Sequence, residues 1–127
     1  MSLAGQTGIP PIQINQTADE KPVRVGIRLL IPADKCDEVM MILNSVTELV
    51  RLEEGCISCR LYQDLHEDGA LMLEQLWSSR IHLERHLRTD SFHTVLLVIE
   101  MASEYPGIRI DVIAQTTGME EIQRIRG

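Results

Sequence analysis

The stretch that decides the fold is LMLEQLWSSRIHLERHLRTDSF, from Leu71 to Phe92. Its first part, Leu71 to Trp77, has the pattern of a β-strand and ends in the only tryptophan of the chain. The pair Ser78-Ser79 is typical of a helix start, because a serine side chain can bond the free N–H groups of the first turn. A strand end, a single indole and His86 one short helix later predict either the lip of a pocket or an ordinary core.

Three further strands and three further helices are predicted around this segment. The strands are Val23–Ile31, Cys56–Asp64 and Ile108–Thr116, and the helices run from Asp34 to about Leu52, from Ser91 to Ser103 and from Gly118 to Arg126. The order strand, helix, strand, strand, broken helix, strand predicts an α+β fold of the ferredoxin-like split β-α-β type. We expect a four-stranded antiparallel sheet with helices on one face, in one domain from residue 22 to 127, and a flexible tail over residues 1–21.

Helical periodicity assigns the buried faces of the two helices that follow the tryptophan. Leu83 and Leu87 are predicted to face the core, with His82 and His86 at the edge of the apolar arc. In the next helix the predicted buried residues are Phe92, Val95, Leu96, Ile99 and Ala102.

The predicted strands carry apolar residues on both faces, as Leu30, Leu76 and Ile113 indicate. Helices on one face would leave the other face as a large exposed apolar patch. We therefore expect a homodimer in which two sheets pack face to face.

Composition argues against several classes of partner. The net charge is −7, with 12 basic and 19 acidic residues, and the basic residues form no run. Nucleic acids and anionic membranes need a cationic face, so neither is an expected partner. No apolar stretch approaches the roughly 18 residues of a membrane span. The N-terminus lacks the pattern of a secretory signal, so a cytoplasmic location is expected.

The three cysteines, Cys36, Cys56 and Cys59, are predicted to be free thiols. Cys56 and Cys59 form a C-x-x-C pair, which is found in redox and metal sites. In a regular strand, however, residues three apart face opposite sides and lie ~10 Å apart. Since a disulfide needs Cα atoms within about 7 Å, we predict neither a disulfide nor a metal site here.

Five short segments, in their order and spacing, resemble the antibiotic biosynthesis monooxygenase domain. They are Glu54-Gly55-Cys56, Leu61-Tyr62-Gln63-Asp64, Trp77-Ser78-Ser79, His86-Leu87 and Asp90-Ser91-Phe92. The resemblance extends from residue 23 to about 116. It implies a dimeric α+β barrel and the oxygenation of a quinol-like or polyketide-like aromatic by O₂ without a cofactor. Other members of the superfamily degrade haem, handle a signalling sugar derivative or have no known activity.

Two departures from the family pattern bear on function. Most members carry a glutamate two positions before the tryptophan, where this chain has Gln75, and Glu74 falls on the opposite strand face. The haem-degrading branch uses an asparagine on the first strand and a histidine three residues after the phenylalanine. This chain has no asparagine there and has Val95 at the second position, so haem degradation is not expected.

Cofactor-independent oxygenation needs a base to deprotonate the substrate and a donor to hold the resulting anion. His86 is the predicted base, because histidine titrates near neutral pH. Trp77 and Tyr62 are the other predicted catalytic residues, as donors or walls of a pocket. The alternatives are a helix-edge histidine bonded to the backbone, a tryptophan that anchors the core or the dimer, and a tyrosine packed on the sheet.

Arg28, Arg60 and Gln75 are the predicted substrate-binding residues. The two arginines lie on strand faces that could line a cavity for an anionic substrate; the alternative is an ion pair across the sheet or the dimer. His82 and His86 are four apart on one helix, but no third ligand joins them, so no metal is expected. The family resemblance implies that no cofactor is needed.

The sequence therefore predicts a small homodimeric monooxygenase for an aromatic, quinol or polyketide-like small molecule. The alternative is a non-catalytic ligand-binding or stress-response module on the same fold.

Overall fold

A computed structural model describes residues 20–127, and the chain forms four strands and four helices within this range. In chain order these are β1 (Val23–Leu30), α1 (Ala33–Val50), β2 (Cys56–Gln63), β3 (Ala70–Trp77), α2 (Arg80–Leu87), α3 (Asp90–Ile99), β4 (Gly107–Val112) and α4 (Met119–Arg126). Residues 1–19 of the predicted tail lie outside the described residues. Among the described helices, none combines the length and the apolar character that crossing a bilayer requires.

The four strands form one antiparallel sheet with the order β2-β3-β1-β4. The predicted ferredoxin-like α+β fold is therefore confirmed. Alternate residues of β1 and β3 are buried beneath the helices, and the central row across the sheet pairs Cys59 with Gln75, Gln75 with Val25, and Val25 with Ile110. The buried apolar residues are aliphatic apart from Trp77 and Cys59, as the scarcity of aromatic residues requires.

The helices after β3 are rotated relative to the prediction. In α2, Leu83 is buried and His86 is completely buried, whereas Leu87 is 38% exposed. In α3, Val95 and Val98 are buried, whereas Leu96 is 44% exposed. A histidine can take an interior position when both ring nitrogens have hydrogen-bond partners, and periodicity alone does not reveal such partners.

A β-bulge in β2 overturns the prediction that Cys56 and Cys59 face opposite sides of the sheet. The register shifts between Cys56 and Ser58, so that Cys56 pairs with Trp77 and Cys59 pairs with Gln75. Both partners face the helices, and the two cysteines therefore share that face, because one extra residue breaks the strict alternation of the strand. The cysteines are nevertheless free thiols, as predicted.

The face of the sheet away from the helices, here called the open face, is more polar than predicted. Leu30, Met72 and Leu76 are half-buried on it. They are interspersed with charged side chains, in the ion pairs Arg24–Glu74 at 3.9 Å and Arg28–Glu67 at 2.5 Å. Ile113 does not belong to this face, because β4 ends at Val112 instead of continuing to Thr116.

Candidate functional site

His86 is the centre of a buried cluster of polar side chains on the helix side of the sheet. Its side chain has no exposed surface, and each ring nitrogen lies within hydrogen-bond distance of another side chain. Nδ1 is 2.9 Å from Oε1 of Glu53, and Nε2 is 3.2 Å from Nε2 of Gln75. The indole N–H of Trp77 donates to Oε1 of Gln75 at 3.0 Å.

The chemistry of the four groups fixes the direction of these hydrogen bonds. An ionised carboxylate only accepts, so Nδ1 of His86 carries the proton that it donates to Glu53. Nε2 then accepts from the amide of Gln75, whose oxygen accepts from Trp77. His86 is therefore the neutral tautomer with the proton on Nδ1. The hydrogen bonds form a chain in which Trp77 donates to Gln75, Gln75 donates to His86, and His86 donates to Glu53, here called the donor chain.

Two aromatic rings hold the imidazole in this orientation. The ring centroids of His86 and Trp77 are 4.7 Å apart with an interplanar angle of 30°, which is a stacked arrangement. Phe92 meets the imidazole edge-on, with centroids 5.6 Å apart and an angle of 71°. The imidazole is therefore fixed by packing as well as by hydrogen bonds.

The loop after α1 carries Glu53 to the imidazole. The loop is anchored on the turn between β3 and α2, because the backbone N–H of Ser78 donates to the carbonyl of Gly55 at 2.8 Å. Gly55 has a φ of +84°, and a Cβ atom there would lie 2.1 Å from Cγ of His82. Only glycine fits both this conformation and this close approach.

His82 belongs to the anchor of the loop and lies outside the donor chain. Its Nδ1 is 2.8 Å from Oγ of Ser79 and 3.1 Å from Oγ of Ser78. Within residues 20–127, no group of three or more histidine, cysteine or acidic side chains is arranged to hold a metal ion.

The cysteines beside this cluster are not reactive thiolates. Burial raises the pKa of Cys59 to about 12, and the effect outweighs the charge of Arg51 and a hydrogen bond with Gln75, both of which lower it. Burial, and then the negative charge of Glu53, raise the pKa of Cys56 above its ordinary value. Both side chains are protonated at neutral pH, since a thiol needs a lowered pKa to act as a nucleophile.

The sheet separates the predicted site residues into two groups. His86, Trp77 and Gln75 lie together on the helix side, whereas Tyr62, Arg28 and Arg60 lie on the open face. Tyr62 and Arg28 share one row of that face through Met72, and they line a shallow pocket of about 220 Å³. Arg60 lies one row away, opposite Glu74.

Glu53 is the functional candidate that sequence reasoning did not find. It follows α1 immediately before Glu54 and Gly55, where acidic residues are typical of a helix end. Nothing in the local pattern distinguishes it from Glu54, which forms an exposed 3.5 Å ion pair with Arg85. The difference depends on the contact with α2, which no local pattern predicts.

The chain is similar in sequence to a known protein family and to a protein of known sequence. The chain matches the family described as antibiotic biosynthesis monooxygenase over residues 22–96. An uncharacterized protein of Synechocystis sp. is 31% identical over 74 residues, which are 58% of this chain and 50% of that protein, so the chain spans about half the length of this relative.

Solved structures with this fold cover most of the chain. The crystal structure of a conserved protein from Methanosarcina mazei has a TM-score of 0.69 at 26% identity, over 76% of this chain and 97% of that chain. A structure described as an antibiotic biosynthesis monooxygenase has a TM-score of 0.67 at 20% identity, over 73% of this chain and 99% of that chain, and it supports the fold alone.

Proposed function

Because the chain belongs to the antibiotic biosynthesis monooxygenase family, we propose that it is a cofactor-independent monooxygenase for a small aromatic, quinol or polyketide-like substrate. The observation that carries this proposal is the hydrogen-bonded pair of the buried His86 and the partly buried Glu53, with 2.9 Å between Oε1 and Nδ1. A carboxylate that orients an imidazole is a common arrangement for a general base, since it fixes the tautomer and stabilises the imidazolium once a proton arrives.

The substrate reaches this base by displacing the side chain of Gln75. Nε2 is the only acceptor of the imidazole, and Gln75 occupies it in the structure. A substrate hydroxyl or acidic C–H takes the place of the Gln75 amide and transfers its proton to Nε2. Glu53 remains on Nδ1 throughout and balances the new positive charge.

The displacement also releases the two donors that an anionic intermediate needs. In the structure the indole N–H of Trp77 donates to Oε1 of Gln75. Once Gln75 moves, its amide N–H and the indole N–H of Trp77 are available to a phenolate or peroxide oxygen. Preoriented donors in a site without water favour such an anion strongly.

The substrate supplies all the electrons for the reaction with O₂. After His86 removes a proton from an activated CH₂ carbon, the carbanion adds to O₂ and forms a C–O bond as a peroxide. Protonation, loss of the second C–H proton and cleavage of the O–O bond then give a carbonyl and water. The carbon loses four electrons and O₂ gains four, so no reductant or cofactor enters the balance.

We further propose that the enzyme works as a homodimer through the open faces of two sheets, in the cytoplasm. The half-buried side chains of Leu30, Met72 and Leu76 support the contact, because they are the apolar part of that face. Arg28, Arg60 and Tyr62 then lie at the contact, where they bind the substrate or the partner sheet. Three free cysteines agree with a reducing compartment.

The second candidate is a non-catalytic ligand-binding or stress-response module. Two observations favour it: Gln75 replaces the glutamate of most members, and the side chain of His86 has no exposed surface. In this function the hydrogen bonds among Glu53, His86, Gln75 and Trp77 are structural, and they join the loop after α1 to α2 and β3. Arg28 and Tyr62 on the open face then take the ligand.

Oxygen uptake with a panel of quinols and anthrone-like aromatics separates the two candidates. We expect uptake with the wild-type protein, a loss of about 100-fold or more in His86→Ala, and no change in the control His93→Ala, an exposed histidine on α3. Binding of panel members without any uptake by the wild type would establish the second candidate and overturn the first.

A further inference from the structure

Two arginines line one pocket beside β2, the strand at one end of the sheet. The pocket, here called the arginine pocket, has a volume of about 450 Å³ and is lined by Arg51, which follows α1, and by residues 57–60 of β2, including Arg60. Because consecutive residues of a strand face both sides of the sheet, the pocket lies at the edge of β2 that no other strand covers.

The positive charges of the arginine pocket have no carboxylate partner within residues 20–127. Ion pairs engage six of the ten arginines of the chain, and neither Arg51 nor Arg60 is among the six. The acidic side chains of the loop after α1 and of β3 have other partners: Glu53 is bonded within the donor chain, Glu54 forms its exposed ion pair with α2, and Glu74 pairs with an arginine of β1. Two positive charges around one pocket repel each other, and a bound anion removes that repulsion.

A backbone carbonyl holds the side chain of Arg51 against β2. Nε of Arg51 donates to the carbonyl oxygen of Cys59 at 2.8 Å. A guanidinium has five N–H donors, and this hydrogen bond uses one of them. The two terminal nitrogens remain for a ligand, and their forked geometry matches the two oxygens of a carboxylate. Arg51 is therefore oriented before any ligand arrives, which lowers the entropy cost of binding.

The other side chains of the arginine pocket add a hydroxyl group and an apolar wall. Ser58 supplies the hydroxyl, and Ile57 supplies an aliphatic side chain that is 55% exposed. Ile57 is the extra residue of the bulge, without a partner on β3. Positive charge beside an aliphatic side chain suits an anion that is carried by an apolar body. The volume lies within the roughly 300–1,000 Å³ of small-molecule sites.

We propose that the arginine pocket binds a small organic carboxylate. The terminal nitrogens of Arg51 donate to the two carboxylate oxygens, Arg60 adds a second positive charge, and the apolar part of the ligand packs on Ile57. Binding at this edge of the sheet needs no proton transfer to His86, so it is independent of the proposed oxygenation.

Chemical-shift titration of the ¹⁵N-labelled protein with benzoate and 2-naphthoate tests this site. We expect saturable shifts of the backbone signals of Ile57 and Ser58 and of the Nε–H signal of Arg51. Arg60→Gln should weaken the binding of both carboxylates by about tenfold or more, because it removes a charge that contacts the ligand. Arg51→Lys keeps the charge but lacks the fork, and we expect a loss of the same order. Arg88→Gln, at another arginine without an ion pair in the described range, is the matched control and should leave the affinity unchanged.

Titration with benzamide and with inorganic phosphate tests the class of ligand. Benzamide has the same ring without the charge, and phosphate has the charge without an apolar body, so we expect both to bind at least about tenfold more weakly than benzoate. Equal binding of either compound would overturn the assignment to organic carboxylates. Absence of carboxylate-dependent shifts at millimolar concentration, or equal losses in Arg60→Gln and Arg88→Gln, would overturn the site itself. The titration has no catalytic readout, so its failure is distinct from failure of the proposed monooxygenase activity.

Discussion

Nδ1 of His86 lies 2.9 Å from Oε1 of Glu53, a residue 33 positions earlier in the chain. This hydrogen bond links the loop after α1 to the last turn of α2. Of the four side chains in the buried polar chain, Trp77, Gln75 and His86 are inaccessible, whereas the side chain of Glu53 is 23% exposed. Glu53 is therefore the member of this chain whose side chain is accessible to water.

Replacing Glu53 with glutamine tests its role as the partner of the base. Glu53→Gln removes the negative charge that stabilises a protonated His86, so we expect kcat for oxygen uptake to fall by about 100-fold or more. The loss of a charge-assisted hydrogen bond should also reduce the free energy of unfolding by about 2 kcal/mol. Glu54→Gln is the matched control, since it affects only an exposed ion pair. Equal activity in both variants would exclude a catalytic role for Glu53.

Replacing Gln75 with leucine tests whether its amide holds the polar chain together. Gln75→Leu leaves Nε2 of His86 and the indole N–H of Trp77 buried without partners, at a cost of about 3 kcal/mol in the free energy of unfolding. Urea denaturation followed by tryptophan fluorescence measures the loss. Gln63→Leu, at an exposed position of β2, should change stability by less than about 0.5 kcal/mol. A similar small effect at both positions would mean that the amide of Gln75 contributes no net hydrogen bonding.

Cys59 makes stability depend on pH in the alkaline range. Burial raises its pKa from 9.0 to about 12, so between these values the unfolded chain has released the proton that the folded protein still holds. Stability is therefore complete below pH 9 and falls as pH rises, by about 1.4 kcal/mol per pH unit for this group. The free energy of unfolding of Cys59→Ala should fall less steeply than that of the wild type between pH 9 and 11. If the stability of the two proteins depends on pH with the same slope, the alkaline loss of stability does not come from Cys59.

The loop that carries Glu53 depends on Gly55. In Gly55→Ala the new Cβ collides with His82 and the residue keeps an unfavourable positive φ, so we expect a loss of about 2 kcal/mol or more in the free energy of unfolding. Gly26→Ala on the open face is the control, because its Cβ would meet only Sδ of Met72 at 3.6 Å. If thermal unfolding shows the two variants to be equally stable, the loop is not held in the conformation described.

The topology was predictable from sequence because it depends on local signals. Strand alternation, the helical periodicity and the Thr89 cap of α3, whose hydroxyl accepts from the N–H of Phe92, each act over a few residues. The bulge at Cys56 was not predictable, because the extra residue changes the facing of Cys56 relative to the rest of β2 and leaves no clear mark in the pattern. The end of β4 was also missed, since Ile113 continues the alternation without a strand partner.

The site was predictable only in part, for a related reason. Trp77, Gln75 and His86 come from one continuous segment, so the strand and the short helix bring them together. The burial of His86 depends on Glu53, and a partner so distant in sequence leaves no periodic signal. Tyr62 and Arg28 lie on the open face because alternate residues of a strand face opposite sides of the sheet, and the strand register fixes which residues these are.

The most direct test of the proposed chemistry is the incorporation of ¹⁸O from ¹⁸O₂ into the product of an anthrone-like substrate, measured by mass spectrometry without added cofactor. The proposal predicts one ¹⁸O atom in the new carbonyl, at a rate that Glu53→Gln lowers by about 100-fold or more while His93→Ala leaves it unchanged. A wild-type protein that binds members of the substrate panel but incorporates no ¹⁸O from any of them would contradict the proposal.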